Sequence, residues 1–205
     1  MRTHLFFLAT LALASLSFTH PAAANDASVD LTISGGSLQP TQNSVDQRIP
    51  GVGSLTAKQG AANGVGGRVS IWLNHHFALE GTGFYVGKSA LEAQAFGATG
   101  AVDVSLFYGS GRVACGIGDR TRLLLSAGIA TMARNFDTPL IEDGSLTVGV
   151  VGAGLMIPVG NAVSVRLDLD DYLYNTYWEF AGVRTDELPQ HDLVFSAGLT
   201  FHTGR

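Results

Sequence analysis

Cysteine is nearly absent: Cys115 is the one cysteine in 205 residues, so no internal disulfide can brace the chain. The simplest reading of Cys115 is a small turn residue, with a reactive or partner-linked thiol as the other. Charge is scarce as well. Charged residues make up 14% of the chain, where a soluble domain carries about 25%. Much of the surface therefore faces something other than water, or the core is unusually large. The formal net charge of −5 argues against a nucleic-acid partner. Beyond residue 24 no apolar run is long enough for a transmembrane helix, which needs about 20 residues. P-loop, dinucleotide-binding and zinc signatures are missing too. Abundant glycine, 26 residues, disfavours long helices. The length leaves room for one domain.

What is present starts with an address. Arg2 supplies a positive head, Leu5 to Phe18 an apolar stretch, Pro21 a break and Ala22-Ala23-Ala24 a small-residue cleavage site. Residues 1–24 are expected to be a signal peptide cleaved after Ala24, leaving a domain over residues 25–205. Cleavage removes Arg2 and no acidic residue, so the mature chain is one unit more negative. A permanent anchor is the other reading, but the apolar run is short for a span. No cysteine follows it, which excludes a lipoprotein.

The dominant hydrophobic period is two. Eight segments carry it: Val29 to Gln39, Gly64 to Leu73, His76 to Val86, Thr99 to Tyr108, Arg120 to Ala133, Ser145 to Val159, Ala162 to Trp178 and His191 to His202. Most have ten or more residues, the length of a tilted bilayer-crossing strand (about 9–11) rather than a soluble strand (about 5–6). Long connections at Pro40 to Gln59, Gly87 to Ala98, Arg134 to Gly144 and Glu179 to Gln190 alternate with tight ones at Asn74-His75 and Gly160-Asn161. The Gly-Asn pair suits the positive φ of a hairpin turn. The connection from Gly109 to Asp119 is intermediate and fits the alternation least. Prolines 40, 50, 139 and 189 fall in the long connections, away from the ladders.

These features predict an all-β fold: a closed antiparallel up-and-down transmembrane barrel of about eight strands, with short periplasmic turns and long external loops. Along the last strand Leu193, Phe195, Ala197, Leu199 and Phe201 share one face. In the seventh, Val163, Val165, Leu167 and Leu169 oppose Ser164, Arg166, Asp168 and Asp170. A barrel in lipid turns the apolar set outward, whereas a soluble sheet turns it inward.

The stretches GVGGRVSIWLNHHFALEGTGFYV (Gly64 to Val86), PVGNAVSVRLDLDDYLY (Pro158 to Tyr174) and HDLVFSAGLTF (His191 to Phe201) resemble the small outer-membrane β-barrel proteins, the eight-stranded barrels of the OmpA and OmpX kind. The first is similar to that family's second hairpin, the second to its turn and seventh strand, the third to its closing strand. Family members often end on the aromatic residue that the assembly machinery reads; here His202-Thr203-Gly204-Arg205 follow Phe201.

If the polar face is the lumen, it holds Arg68, Glu80, Asp103, Arg122, Arg166 and Asp168. An eight-stranded barrel is filled by side chains, and buried charges must pair. These six are therefore expected to form an ion-pair network that closes the barrel; a selectivity filter is the alternative. Aromatic residues lie near strand ends. Trp72 and Phe77 fall at one end, and Phe84, Tyr85, Tyr172, Tyr174, Tyr177 and Trp178 toward the other, where interfacial girdles would place them. Trp72, Phe77, Tyr85, Tyr172, Tyr177 and Trp178 are the chosen girdle set. His75, His76, His191 and His202 show no metal-ligand spacing, and no cofactor is expected. The nearest hydrolytic constellation is His191-Asp192 with Ser196. The reading is a non-enzymatic outer-membrane protein with a plugged lumen and external loops for envelope integrity or interaction. Its expected partners are outer-membrane lipid, lipopolysaccharide and the barrel assembly machinery. A lipid A-modifying enzyme and a soluble periplasmic lipocalin-like carrier are the alternatives.

Overall fold

The computed structural model describes residues 27–49, 53–95, 98–138, 143–176, 179–180, 183–184 and 188–203. The expected signal peptide, Tyr177 and Trp178 lie outside them. Eight long strands form the barrel: β1 (Ser28–Pro40), β2 (Ala62–Trp72), β3 (Phe77–Ala95), β4 (Ala98–Ile117), β5 (Arg122–Phe136), β6 (Gly144–Pro158), β7 (Val163–Thr176) and β8 (Leu188–Thr203). Each pairs antiparallel with its sequence neighbours, and β1 pairs with β8 from Val29↔Thr203 to Pro40↔Asp192, which closes the sheet on itself. Closure satisfies the backbone groups that an edge would leave facing hydrocarbon.

Three tight turns lie at one end, which we call the turn end. At the first, Asn74 Oδ1 accepts the N–H groups of His76 (2.8 Å) and Phe77 (2.9 Å), the local bonding that suits Asn to turns. The second, after Ile117, uses Gly118 at φ 102°, where an added Cβ would run into the Thr121 carbonyl. The third is closed by Val159 N–H to Val163 C=O at 3.0 Å. Among the described glycines only Gly118 is left-handed, so Gly160-Asn161 turns without the positive-φ glycine its sequence suggested.

The opposite, loop end departs most from the expectation. β3 and β4 run for 19 and 20 residues, so Gly87 to Ala98 is mostly ladder. Gly87 and Lys88 mark a register shift between Val86 and Ser89, a bulge rather than the start of a loop. The stretch from Gly109 resolves likewise: β4 continues to Ile117, and only a tight turn remains. Cys115 therefore lies within a strand, half-buried, not in a turn. The connection from Pro40 to Gln59 forms a ribbon, Asn43–Ile49 paired with Gly53–Gln59, whose second arm adds to β3 from Leu55↔Ala95 to Gln59↔Leu91.

One parity governs the wall. Even-numbered residues face the lumen in every barrel strand until the bulge in β3 reverses it, burying Ser89 and Leu91. Odd-numbered residues face out and are mostly apolar: Ile33 is 62% exposed and Ile129 68%. Arg166 is 1% exposed and Glu80 3%. This inversion of the soluble pattern removes the lipocalin-like carrier, which needs a wet outer face and an apolar lumen.

The barrel lumen as candidate functional site

The inward side chains stack in three layers. At the turn end, four neighbouring strands are joined by one hydrogen-bond chain. Trp72 on β2 donates Nε1–H to Asp30 Oδ2 on β1 (2.7 Å), Asp30 Oδ1 meets His202 Nδ1 on β8 (2.7 Å), and His202 Nε2 meets Ser164 Oγ on β7 (2.7 Å). The Arg122 guanidinium lies over the Trp72 ring at 4.9 Å, a cation–π contact. Ala78, Ala114, Leu124 and Met156 pack against Trp72 and fill the space beside it.

The middle layer is a charged belt. Glu80 accepts from Arg68 (2.7 Å), Arg166 (2.9 Å) and the Ser70 hydroxyl (2.8 Å). Arg166 Nε reaches both oxygens of Asp168 at 3.0 Å. Asp170 takes Arg68 at 3.2 Å and Arg112, and Arg112 also donates to the Tyr172 hydroxyl at 2.9 Å. Three cations thus face three carboxylates, each with at least one partner, as buried charge requires. Thr32–Thr200 (2.8 Å) and Thr82–Ser110 (2.5 Å) bridge the walls around it. A cavity of about 20 Å³, lined by Thr32, Ser34, Thr82, Ser196 and the belt, has room for a water-sized guest.

The loop-end layer is apolar with one polar knot. Leu38, Val86, Leu106, Met132, Val150 and Val194 are fully buried. Among them Asp192 accepts the Tyr108 hydroxyl (2.8 Å) and the Tyr174 hydroxyl (2.9 Å), while Arg134 donates to Tyr174 (2.8 Å). The Tyr108 and Tyr172 rings pack with centroids 4.5 Å apart.

Of the six residues expected in the lumen network, Arg68, Glu80, Arg166 and Asp168 come together. Arg122 faces inward but sits on Trp72 at the turn end. Asp103 is a correction. It has outward parity on β4 and pairs with exposed Lys88 at 3.2 Å. Arg112 and Asp170 complete the belt and were missed. Asp170 alternates in phase with Arg166 and Asp168; Arg112 was hidden by reading Gly109 as the end of a strand.

The aromatic set divides by the same parity. Phe77 and Tyr85 face out, 49% and 47% exposed. Trp72 and Tyr172, with Phe84, are buried inside the lumen, and Tyr174 packs there too, so they are no part of a lipid-facing girdle. The His191, Asp192 and Ser196 constellation does not converge. His191 lies on the outer face beside Asp171 (3.2 Å), whereas Asp192 and Ser196 face inward. No metal-binding cluster occurs among the described residues.

Comparison with known proteins agrees with this architecture. Solved structures that share the fold include the following three. OprG of Pseudomonas aeruginosa has a TM-score of 0.63 at 9% identity, covering 88% of this chain and 98% of that one. The outer membrane protein AlkL, solved in lipid bilayers, has 0.55 at 14%, covering 90% and 93%. Neisserial surface protein A has 0.54 at 10%, covering 85% and 96%. A comparison with curated protein sequences gives no match. The model of the outer membrane protein beta-barrel domain matches residues 8–201. With its apolar outer wall and closed eight-stranded ladder, this chain belongs to the outer membrane protein beta-barrel domain family and resides in the outer membrane.

Proposed function

We propose that the protein is a sealed, non-conducting element of the outer membrane, exported by cleavage of residues 1–24. Its turns face the periplasm and its loop end faces outside. It supports the envelope through its lipid-facing wall and presents the ribbon Asn43–Gln59 and the β3–β4 hairpin to whatever it meets externally. Its partners on this reading are lipid and lipopolysaccharide around the wall and the assembly machinery during insertion. The observation that carries it is the compensated belt of Arg68, Arg112 and Arg166 with Glu80, Asp168 and Asp170. Apolar packing lies beyond it at both ends. A selectivity filter would leave part of such a ring free to exchange with water and ions; here every carboxylate is engaged. No cofactor is required.

Proteoliposome swelling in a small sugar, together with planar-bilayer conductance, tests this. The mature protein is expected to give neither swelling nor steady conductance. Sugar-dependent swelling at the rate of a known porin would overturn it.

A further inference from the structure

The chain at the turn end has a feature that sealing does not need. A seam between β1 and β8 can be stitched more simply: Thr32 and Thr200 bridge the same two strands with one hydrogen bond at 2.8 Å. At the turn end the structure instead sets a buried carboxylate on His202 Nδ1 and a serine hydroxyl on His202 Nε2, both at 2.7 Å. The second oxygen of that carboxylate is pinned by Trp72 Nε1. This is the order of contacts that makes a serine nucleophilic: acid to Nδ1, Nε2 to Oγ, with the acid itself held. The residues come from three strands. Ser164 is the first inward-facing residue of β7, Asp30 the second of β1, and His202 the last of β8. The trio therefore lies below the charged belt, beside the turn at Gly160, and its use leaves the belt shut.

We propose that Ser164, His202 and Asp30 form a hydrolytic site at the turn-end mouth of the lumen that takes small, activated acyl esters. Ser164 is 2% exposed and Asp30 0%, which restricts the substrate to a small electrophile entering past the rim and excludes a lipid acyl chain held in the wall. Ser164 Oγ attacks the ester carbonyl carbon as its proton passes to His202 Nε2. The carbon–oxygen bond to the alcohol breaks, and the departing oxygen takes that proton. Water then attacks the acyl-serine by the same relay, releasing the carboxylic acid and restoring Ser164. Ser164 and His202 are the catalytic residues. Asp30 is a positioning residue that keeps Nδ1–H turned toward itself, and Trp72 fixes Asp30. This goes beyond the sealed-barrel reading and does not depend on it.

The test treats the folded mature barrel in detergent with diisopropyl fluorophosphate and follows intact mass. One diisopropylphosphoryl adduct, formed as Ser164 Oγ displaces fluoride, is expected; it is absent in Ser164→Ala and formed at least about 100-fold more slowly in His202→Gln. The wild-type rate is expected to rise with a single ionisation as pH increases, and Asp30→Asn to alter that profile while the barrel still resists dissolution until boiled. Where a variant fails to fold, wild-type adduct mapping and its pH profile decide. No adduct on folded wild type, an adduct elsewhere, or equal labelling of His202→Gln would overturn the proposal, whatever the swelling assay shows.

Discussion

Glu80 is the keystone of the lumen belt, and replacing it by leucine tests the reasoning about buried charge. The carboxylate accepts three bonds, from Arg68, Arg166 and Ser70. Its loss leaves three guanidinium groups facing two carboxylates. The remaining geometry limits the damage. Arg166 keeps Asp168 at 3.0 Å, and Arg68 keeps Asp170 at 3.2 Å. Breaking a buried pair costs about 3–5 kcal/mol. Because neither arginine is left bare, Glu80→Leu belongs at the lower end, about 3 kcal/mol, on the order of a hundredfold in the unfolding equilibrium. Asp170→Leu should cost more, because Arg112 then keeps only the Tyr172 and Ser110 hydroxyls. Ser110→Ala removes one neutral bond, with Thr82, and one from the Arg112 guanidinium, and should cost about 2 kcal/mol. Urea unfolding in lipid vesicles, read by the gel shift that distinguishes folded from boiled barrel, gives the order. A Glu80→Leu effect within about 0.5 kcal/mol of wild type, the range of an unimportant surface change, would refute the claim that the belt is a compensated plug.

Other outcomes follow from the same geometry. Leu167→Arg puts a cation on the lipid face and should cost about 2–4 kcal/mol in the same unfolding assay. Gly128→Ala should destabilise by about 1–3 kcal/mol, because its Cβ would strike the Gly111 carbonyl and Arg112 Cα across the β4–β5 ladder; Gly111→Ala meets nothing within 4 Å and should be silent. The chain's lysines are Lys58 and Lys88, both exposed and toward the loop end. A membrane-impermeant amine reagent should therefore label both on intact cells, and labelling only after permeabilisation would invert the topology. Mass spectrometry of the envelope protein should find Asn25 as its first residue.

The fold was legible because period two is local: each strand declares its faces without its neighbours. The parity read from Leu167 and Leu169 against Arg166 and Asp168 holds around the wall up to the bulge in β3. Reading faltered where a local signal had two meanings. Gly87-Lys88 and Gly109 look like loop starts; one marks a bulge and the other continues a ladder. Reading Gly109 as a strand end hid Arg112, and Asp103 was put on the wrong face because the lumen is apolar at the loop end, where Val104 and Leu106 face inward instead. Aromatic residues misled differently. A ring suits a membrane interface or a packed lumen equally well, and parity, not residue type, puts Trp72 and Tyr172 inside. The trio Asp30, Ser164 and His202 could not be read at all. Its members are brought together by closure of β1 on β8, across a separation of 172 positions in sequence for Asp30 and His202.

The central claim, a lumen closed at its charged belt to the passage of solutes, is tested most directly at the cavity beside that belt. Ser34 and Ser196 line it, and each can become cysteine with little change of volume in a Cys115→Ala background. A charged thiol reagent added to both sides of proteoliposomes should leave Ser34→Cys and Ser196→Cys unmodified in the folded barrel and modify both fully after boiling. A control at the exposed turn, Asn161→Cys, should react at once. Modification of either lumen position in the folded barrel at the rate of that control would mean an open aqueous path, contradicting the sealed barrel.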